Sequence, residues 1–186
     1  MDDLDQKIVT IYCLGSANDN TRWLHGNRDD NSVSMANFLP RLGKSVDLTG
    51  TMWKAIKVDA ATNAYRFESL YNSQSNYSEF LDYNDTGKVE LDEDEDDSST
   101  WILEEGNTDL YYPVYPWRAD NTGSGSSIFT FKLKNQFAEE QGLSPYLNGN
   151  TGNGGLSMIS EEDSNSNSYT GANWLISILA SSGTTT

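Results

Sequence analysis

One phrase occurs three times along this chain: an aromatic residue, a leucine, two free positions and an asparagine. It reads Trp23-Leu24-x-x-Asn27, then Phe80-Leu81-x-x-Asn84, then Tyr146-Leu147-x-x-Asn150. A two-beat apolar element follows each phrase: Val33-x-Met35, Val89-x-Leu91 and Leu156-x-Met158, placed 9, 8 and 9 residues after the leucine. Each copy then reaches a tryptophan that opens a strand-like run, at Trp53, Trp101 and Trp174. A matched order of elements at a period of about 60 residues marks a repeat architecture, in which no single copy folds alone.

Upstream of each phrase lies one more alternating run: Val9-x-Ile11, Tyr65-x-Phe67 and Phe129-x-Phe131-x-Leu133. Alternation at period two is the mark of a strand with one buried face. Each copy therefore reads as four short strands, separated by Asn, Gly, Ser and Asp clusters that supply turn chemistry. A four-stranded unit of this size cannot bury its own apolar face, so the copies must share one core. The spacing between second beat and tryptophan differs, at 18, 10 and 16 residues, which predicts loops of unequal length on one scaffold. Helix signals are scarce. Gln136–Gln141 reads as a single helical turn stopped by Gly142, and Ser34–Phe38 as another stopped by Pro40.

This pattern of aromatic-Leu-x-x-Asn and closing tryptophan resembles the β-trefoil superfamily, which holds ricin-type lectins, fascin-like actin bundlers and several protease inhibitors. The resemblance covers roughly residues 8–180. It implies an all-β fold of three four-stranded repeats with pseudo-threefold symmetry, at about 8–60, 63–107 and 127–180, within one domain spanning 1–186. Residues 108–126 form an insertion rich in aromatics and proline. Six strands would close a barrel and six would form hairpins. Closure would pair the last strand, near Trp174 to Leu179, with the first, near Ile8 to Tyr12. The ricin-type pattern has a glutamine two residues before its tryptophan; this chain has Thr51, Ser99 and Ala172 there, which points to a different lineage within the fold.

Composition narrows the function classes. At 186 residues and 20.7 kDa the chain is long enough for a sizeable core. Its net charge of −16 opposes nucleic acid and anionic membranes, whose phosphates would be repelled. Cys13 is the only cysteine, so no internal disulfide forms, and its place in the first strand predicts a small core residue. The chain opens without an apolar leader and contains no run of membrane-spanning length. It reads as a soluble protein, cytoplasmic or released without a signal peptide. Asn76-Tyr-Ser78 and Asn84-Asp-Thr86 fit the glycosylation acceptor pattern, which an asparagine-rich chain produces readily by chance.

Catalytic constellations are weak. His25 is the only histidine, and no Gly-x-Ser-x-Gly elbow or phosphate loop is present. A non-enzymatic binding module is the stronger reading. Sugars need polar side chains to fix hydroxyls and an aromatic face for their apolar C–H patch. The resemblance to trefoil lectins puts such groups just after each aromatic-Leu pair. The matching residues are Asp82, Tyr83 and Asn84, the favoured set, then His25, Asn27 and Asp30, then Asn148, Asn150 and Asn153. Each asparagine has an alternative role as the residue that tolerates a left-handed turn. The expected partners are glycans or glycoproteins, with an oligomer left open as a source of avidity.

Two further stretches compete. Tyr111, Tyr112, Tyr115 and Trp117, stiffened by two prolines, suit a loop that docks on a protein, as in an inhibitor or a toxin-complex subunit. Asp82, Asn84, Thr86 and Glu93 fall on positions one, three, five and twelve of a calcium loop, with Gly87 on six. The flanks are poor helices, and a strand–turn–strand hairpin around Asn84–Gly87 explains the same residues. No cofactor is expected.

Overall fold

The computed structural model describes residues 3–14, 23–36, 48–71, 77–106, 130–149, 155–165 and 170–181. Among the described residues twelve strands make one sheet: β1 (Lys7–Cys13), β2 (Trp23–Asn27), β3 (Ser32–Ala36), β4 (Trp53–Asp59), β5 (Ala64–Ser69), β6 (Phe80–Tyr83), β7 (Val89–Asp92), β8 (Trp101–Glu105), β9 (Phe131–Asn135), β10 (Tyr146–Gly149), β11 (Leu156–Ile159) and β12 (Trp174–Ser181). All the pairings are antiparallel. Six strands pair around a closed ring in the order β1, β12, β9, β8, β5, β4 and back to β1. The other six form the hairpins β2–β3, β6–β7 and β10–β11. Closure removes the unpaired edges that invite aggregation.

The first and last strands meet as the trefoil resemblance implies. Cys13 pairs with Trp174, Ile11 with Ile176 and Val9 with Ile178, with one irregularity between Ile8 and Val9. Val9, Ile11 and Cys13 are fully buried and share the core cluster with Phe67, Leu133 and the three repeated leucines. In each hairpin the repeated leucine faces the second beat of its partner strand: Leu24 opposite Met35, Leu81 opposite Leu91, Leu147 opposite Met158. The three tryptophans open β4, β8 and β12. Each indole Nε1 donates to the carbonyl of a repeated leucine: Trp53 to Leu24 at 3.1 Å, Trp101 to Leu81 at 2.8 Å and Trp174 to Leu147 at 3.0 Å. A buried indole N–H requires a partner, and here the partner ties each hairpin to the ring.

One expected helix is absent. Ser34–Ala36 belongs to β3, because Val33 and Met35 follow the two-residue period and the segment pairs along its length with β2. The other expected turn forms as α1 (Gln136–Glu140), where the Asn135 side chain caps the Ala138 amide at 3.0 Å and Gly142 follows at φ +67°. Cys13 is buried, its thiol 3.4 Å from the Gly171 carbonyl. The aromatic insertion with Tyr111, Tyr112, Tyr115 and Trp117 lies outside the described residues, as do Asn150 and Asn153. Among the described residues no helix is long and apolar enough to cross a membrane.

Candidate functional site

The residue after each repeated leucine is His25, Asp82 or Asn148, and in all three places it meets the residue three positions before the tryptophan. His25 lies against Gly50, so closely that a Cβ on Gly50 would collide with the imidazole. Asn148 lies in the same way against Gly171. In the middle copy the partner is Ser98, whose hydroxyl donates to Asp82 at 2.6 Å. The two glycines sit in short 3-10 turns, Leu48–Thr51 and Thr170–Ala172. Thr51, Ser99 and Ala172, one residue further on, are all buried, so that position is filled by small side chains packed inward.

The favoured set, Asp82, Tyr83 and Asn84, does not make an open site. Asp82 is 3% exposed and Tyr83 6%. Burial pushes the Asp82 carboxyl up to about 6 against the pull of the Ser98 hydroxyl, and Asp92, Asp96 and Glu90 add to the rise. Its second oxygen, Oδ2, is buried without a hydrogen bond. Tyr83 belongs to the core cluster. Asn84 closes the hairpin turn: its Oδ1 accepts from the Thr86 amide at 3.1 Å, the Thr86 hydroxyl at 2.7 Å and the Lys88 amide at 2.9 Å, while its Nδ2 donates to Glu90. Gly87 supplies the left-handed residue at φ +84°. The calcium spacing thus coincides with a hairpin whose asparagine oxygen is already committed. Among the described residues no group of three or more His, Cys, Asp or Glu side chains is placed to hold a metal ion.

The first copy is more open. Asn27 Oδ1 accepts from the Asp29 amide at 3.1 Å, and Asp30 Oδ1 from the Ser32 amide at 3.1 Å, so both hold the β2–β3 turn. The hydroxyl and amide of Ser32 keep the Asp30 carboxyl below the usual range. His25 is half-buried and meets Tyr71 edge to face, with ring centroids 6.0 Å apart at 75°. The Tyr71 hydroxyl donates to Asp29 Oδ2 at 3.1 Å. Asp29 is exposed, and its other oxygen accepts no hydrogen bond from a described residue. Beside it, the Arg28 guanidinium meets Glu79 at 3.3 Å, their side chains 11% and 6% exposed. Burial raises the Glu79 carboxyl, opposed by Arg28. The structure thus joins His25 to Tyr71 and Tyr71 to Asp29, with the Arg28–Glu79 pair beside Asp29, four residues that the sequence pattern did not single out. Tyr71 and Glu79 lie outside the repeated phrase, and the Ser69 to Glu79 backbone bond, with the Glu68–Phe80 pairing, brings Glu79 to the end of β5. In the third copy Asn148 Nδ2 donates to Ser157 at 3.0 Å, across the hairpin.

No protein-family model matches the chain, and no curated protein does. Solved structures do. One, described as SeviL bound to asialo-GM1 saccharide, superposes with a TM-score of 0.52 at 17% identity, covering 94% of this chain and 98% of the other. A second, described as a BEL beta-trefoil in an apo crystal form, gives 0.55 at 9% identity and 94% of each chain. The fold is a β-trefoil. At such identities the likeness shows the trefoil scaffold alone, and the chemistry of the site rests on this chain's own side chains.

Proposed function

We propose that this trefoil is a glycan-binding protein without catalytic activity, built of three four-stranded units related by a pseudo-threefold axis. Its leading site is the surface formed by His25, Asp29 and Tyr71. The observation that carries this reading is the Tyr71–Asp29 hydrogen bond beside the His25 ring. It brings an aromatic ring, an accepting carboxylate and an imidazole together on one partly exposed surface. A sugar hydroxyl donates to a carboxylate and accepts from a neighbouring donor, while its C–H face lies on a ring. The likeness to a structure described as bound to a saccharide supports the reading. The glycine at position 50 supports it too, because it leaves room for the imidazole where the middle copy has a serine.

The Asp82 set becomes a structural device in this reading, and the Asn148 set a secondary site. A shallow site of this kind binds weakly on its own, so avidity needs a second working copy or an oligomer. The test is a broad glycan array, followed by calorimetry on Asp29→Ala and Tyr71→Ala. The expected outcome is binding by the wild type that free sugar competes away, and at least tenfold weaker binding by either folded variant. Full affinity in both variants overturns the site. No binding on the array overturns the lectin reading and makes the Tyr111–Trp117 loop the leading site for a protein partner.

A further inference from the structure

We infer that Asp82, Ser98 and Asp96 share one proton along a chain of two hydrogen bonds, and that this chain is a pH-sensitive latch holding the acidic segment after β7 onto the middle hairpin. Ser98 Oγ lies 2.6 Å from Asp82 Oδ1 and 2.5 Å from Asp96 Oδ1. A serine hydroxyl carries one proton and donates to only one of the two carboxylates. With both ionised, the other contact sets lone pair against lone pair. One added proton resolves the conflict, and it belongs on the carboxyl that loses most by being charged. Asp82 is 3% exposed, and its Oδ2 has no hydrogen bond. Asp96 is exposed, and its Oδ1 also accepts from the Ser98 amide at 2.8 Å. Asp82 therefore holds the proton and donates to Ser98 Oγ, while Ser98 donates to Asp96. The surrounding groups favour the same assignment. On β7, Glu90 stands directly opposite Asp82, and Asp92 opposite Phe80, two residues along. Lys88 is paired with Glu90 at 3.2 Å. Arg66 of β5 lies on the Asp96 side, donating to the Glu95 and Asp96 carbonyls at 2.7 and 3.4 Å and meeting the Glu95 carboxylate at 3.2 Å. From β9 the neutral Asn135 side chain donates to the Ser98 carbonyl at 2.6 Å. Burial lifts Asp82 to about 6, while the Ser98 hydroxyl keeps Asp96 below its ordinary range. Once Asp82 ionises, Ser98 can serve one carboxylate only, and residues 93–97, all exposed, loosen. The latch is at full strength below 3.8, the ordinary value for Asp82, and weakens as pH rises to about 6. Each pH unit in that window shifts its equilibrium about tenfold.

The full chain is tested by amide hydrogen exchange and by carboxyl carbon NMR across this pH range. The Tyr83 amide donates to the Ser98 carbonyl at 3.1 Å and the Ser98 amide to Asp96, so both report the closed latch. Their protection should fall about tenfold between pH 5 and pH 8, and the Asp82 and Asp96 carboxyl signals should move at one common midpoint. In Asp82→Asn the side-chain amide donates to Ser98 at every pH, so protection should stay level. In Ser98→Ala the Asp96 signal should no longer follow Asp82. Level protection in the wild type overturns the latch, and so does an equal fall in Asp82→Asn. Separate midpoints for Asp82 and Asp96 in the wild type overturn the shared proton. Protection of the two amides equal to that of the central β1 amides assigns the fall to global unfolding and also overturns the latch. If Ser98→Ala does not fold, the wild type and Asp82→Asn decide between these outcomes.

Discussion

The first and middle hairpins present the same scaffold with opposite contents. In the first, the residue after the leucine is His25, its facing position is Gly50, and the next strand position is Gly26. In the middle, the corresponding residues are Asp82, Ser98 and Tyr83. A Cβ at Gly26 would come within 2.9 Å of the Trp53 ring and 3.0 Å of the Ser69 hydroxyl, so that position must stay small. Tyr83 fills the matching place and joins the core. Ser98 then reaches over Asp82 and closes it. The first copy keeps a half-buried imidazole facing a tyrosine; the middle copy keeps a sealed carboxylate. A repeated framework of leucine and tryptophan fixes the hairpins, and three small choices around it decide whether the surface is open or shut.

The framework half of that comparison is tested first, because the effect is largest. Leu24→Ala, Leu81→Ala and Leu147→Ala each remove a fully buried side chain and should each cost about 2–5 kcal/mol in urea unfolding. Near-equal costs mean that the open and sealed hairpins rest on the same foundation. A cost below about 1 kcal/mol at any one of them breaks the equivalence of the copies.

The sealed carboxylate gives the next effect. The folded Asp82 carboxyl titrates near 6, above its ordinary 3.8. Below 3.8 it is protonated in both folded and unfolded chains and costs nothing. Between 3.8 and 6 the folded chain holds a proton that the unfolded chain releases, so stability falls as pH rises through this window and stays low above it. A shift of this size corresponds to at most about 3 kcal/mol. Asp82→Asn should therefore be more stable than wild type at pH 7 by about 1–3 kcal/mol, and the difference should fade at pH 4. Chemical denaturation at the two pH values checks this. A variant less stable than wild type at pH 7 would mean that the carboxylate is held by favourable contacts and that the middle copy is not simply closed.

The framework was legible in the sequence because it obeys a period. The strands and the opening of β4, β8 and β12 by tryptophan follow from alternation and from the three-part phrase, while the facing of β1 by β12 followed from the trefoil resemblance. The indole-to-leucine bonds were not legible, since a backbone acceptor leaves no mark on the residues around it. Of the proposed site, only His25 was legible. Asn27 and Asp30 have the right chemistry for a sugar, yet both spend an oxygen on their own turn, as local asparagine and aspartate side chains often do. Asp82 has the chemistry of a sugar-binding carboxylate, but Ser98, 16 residues away, bonds to it where it lies buried. Asp29 and Tyr71 meet across 42 residues and through no repeated pattern.

Converting one copy toward the other sharpens the comparison. Gly50→Ser installs the residue of the sealed copy where His25 now lies. The added side chain enters space held by the imidazole, so the ring must move or the turn must shift. Overpacking of this kind costs about 1–3 kcal/mol. The expected result is a folded protein with a lower melting temperature and weakened glycan binding. Unchanged binding with unchanged stability would show that His25 has a second position and that Gly50 does not hold the site open.

The smallest change in stability should come from Tyr71→Phe. It keeps the ring beside His25 and removes only the hydroxyl that donates to Asp29. Both partners lie at the surface, where water replaces the lost bond, so the loss in stability should stay within about 0.5–1.5 kcal/mol. The effect on ligand should be larger than the effect on folding. Without the hydroxyl the carboxylate is no longer held toward the ring, and a sugar must order Asp29 as it binds. Calorimetry with the best array ligand should show several-fold weaker binding by Tyr71→Phe, and a greater loss in Tyr71→Ala, which also removes the ring. Equal losses in the two variants would assign the whole contribution to the hydroxyl. A loss in Tyr71→Ala alone would assign it to the ring, and the Asp29 bond would then be a detail of the fold rather than part of the site.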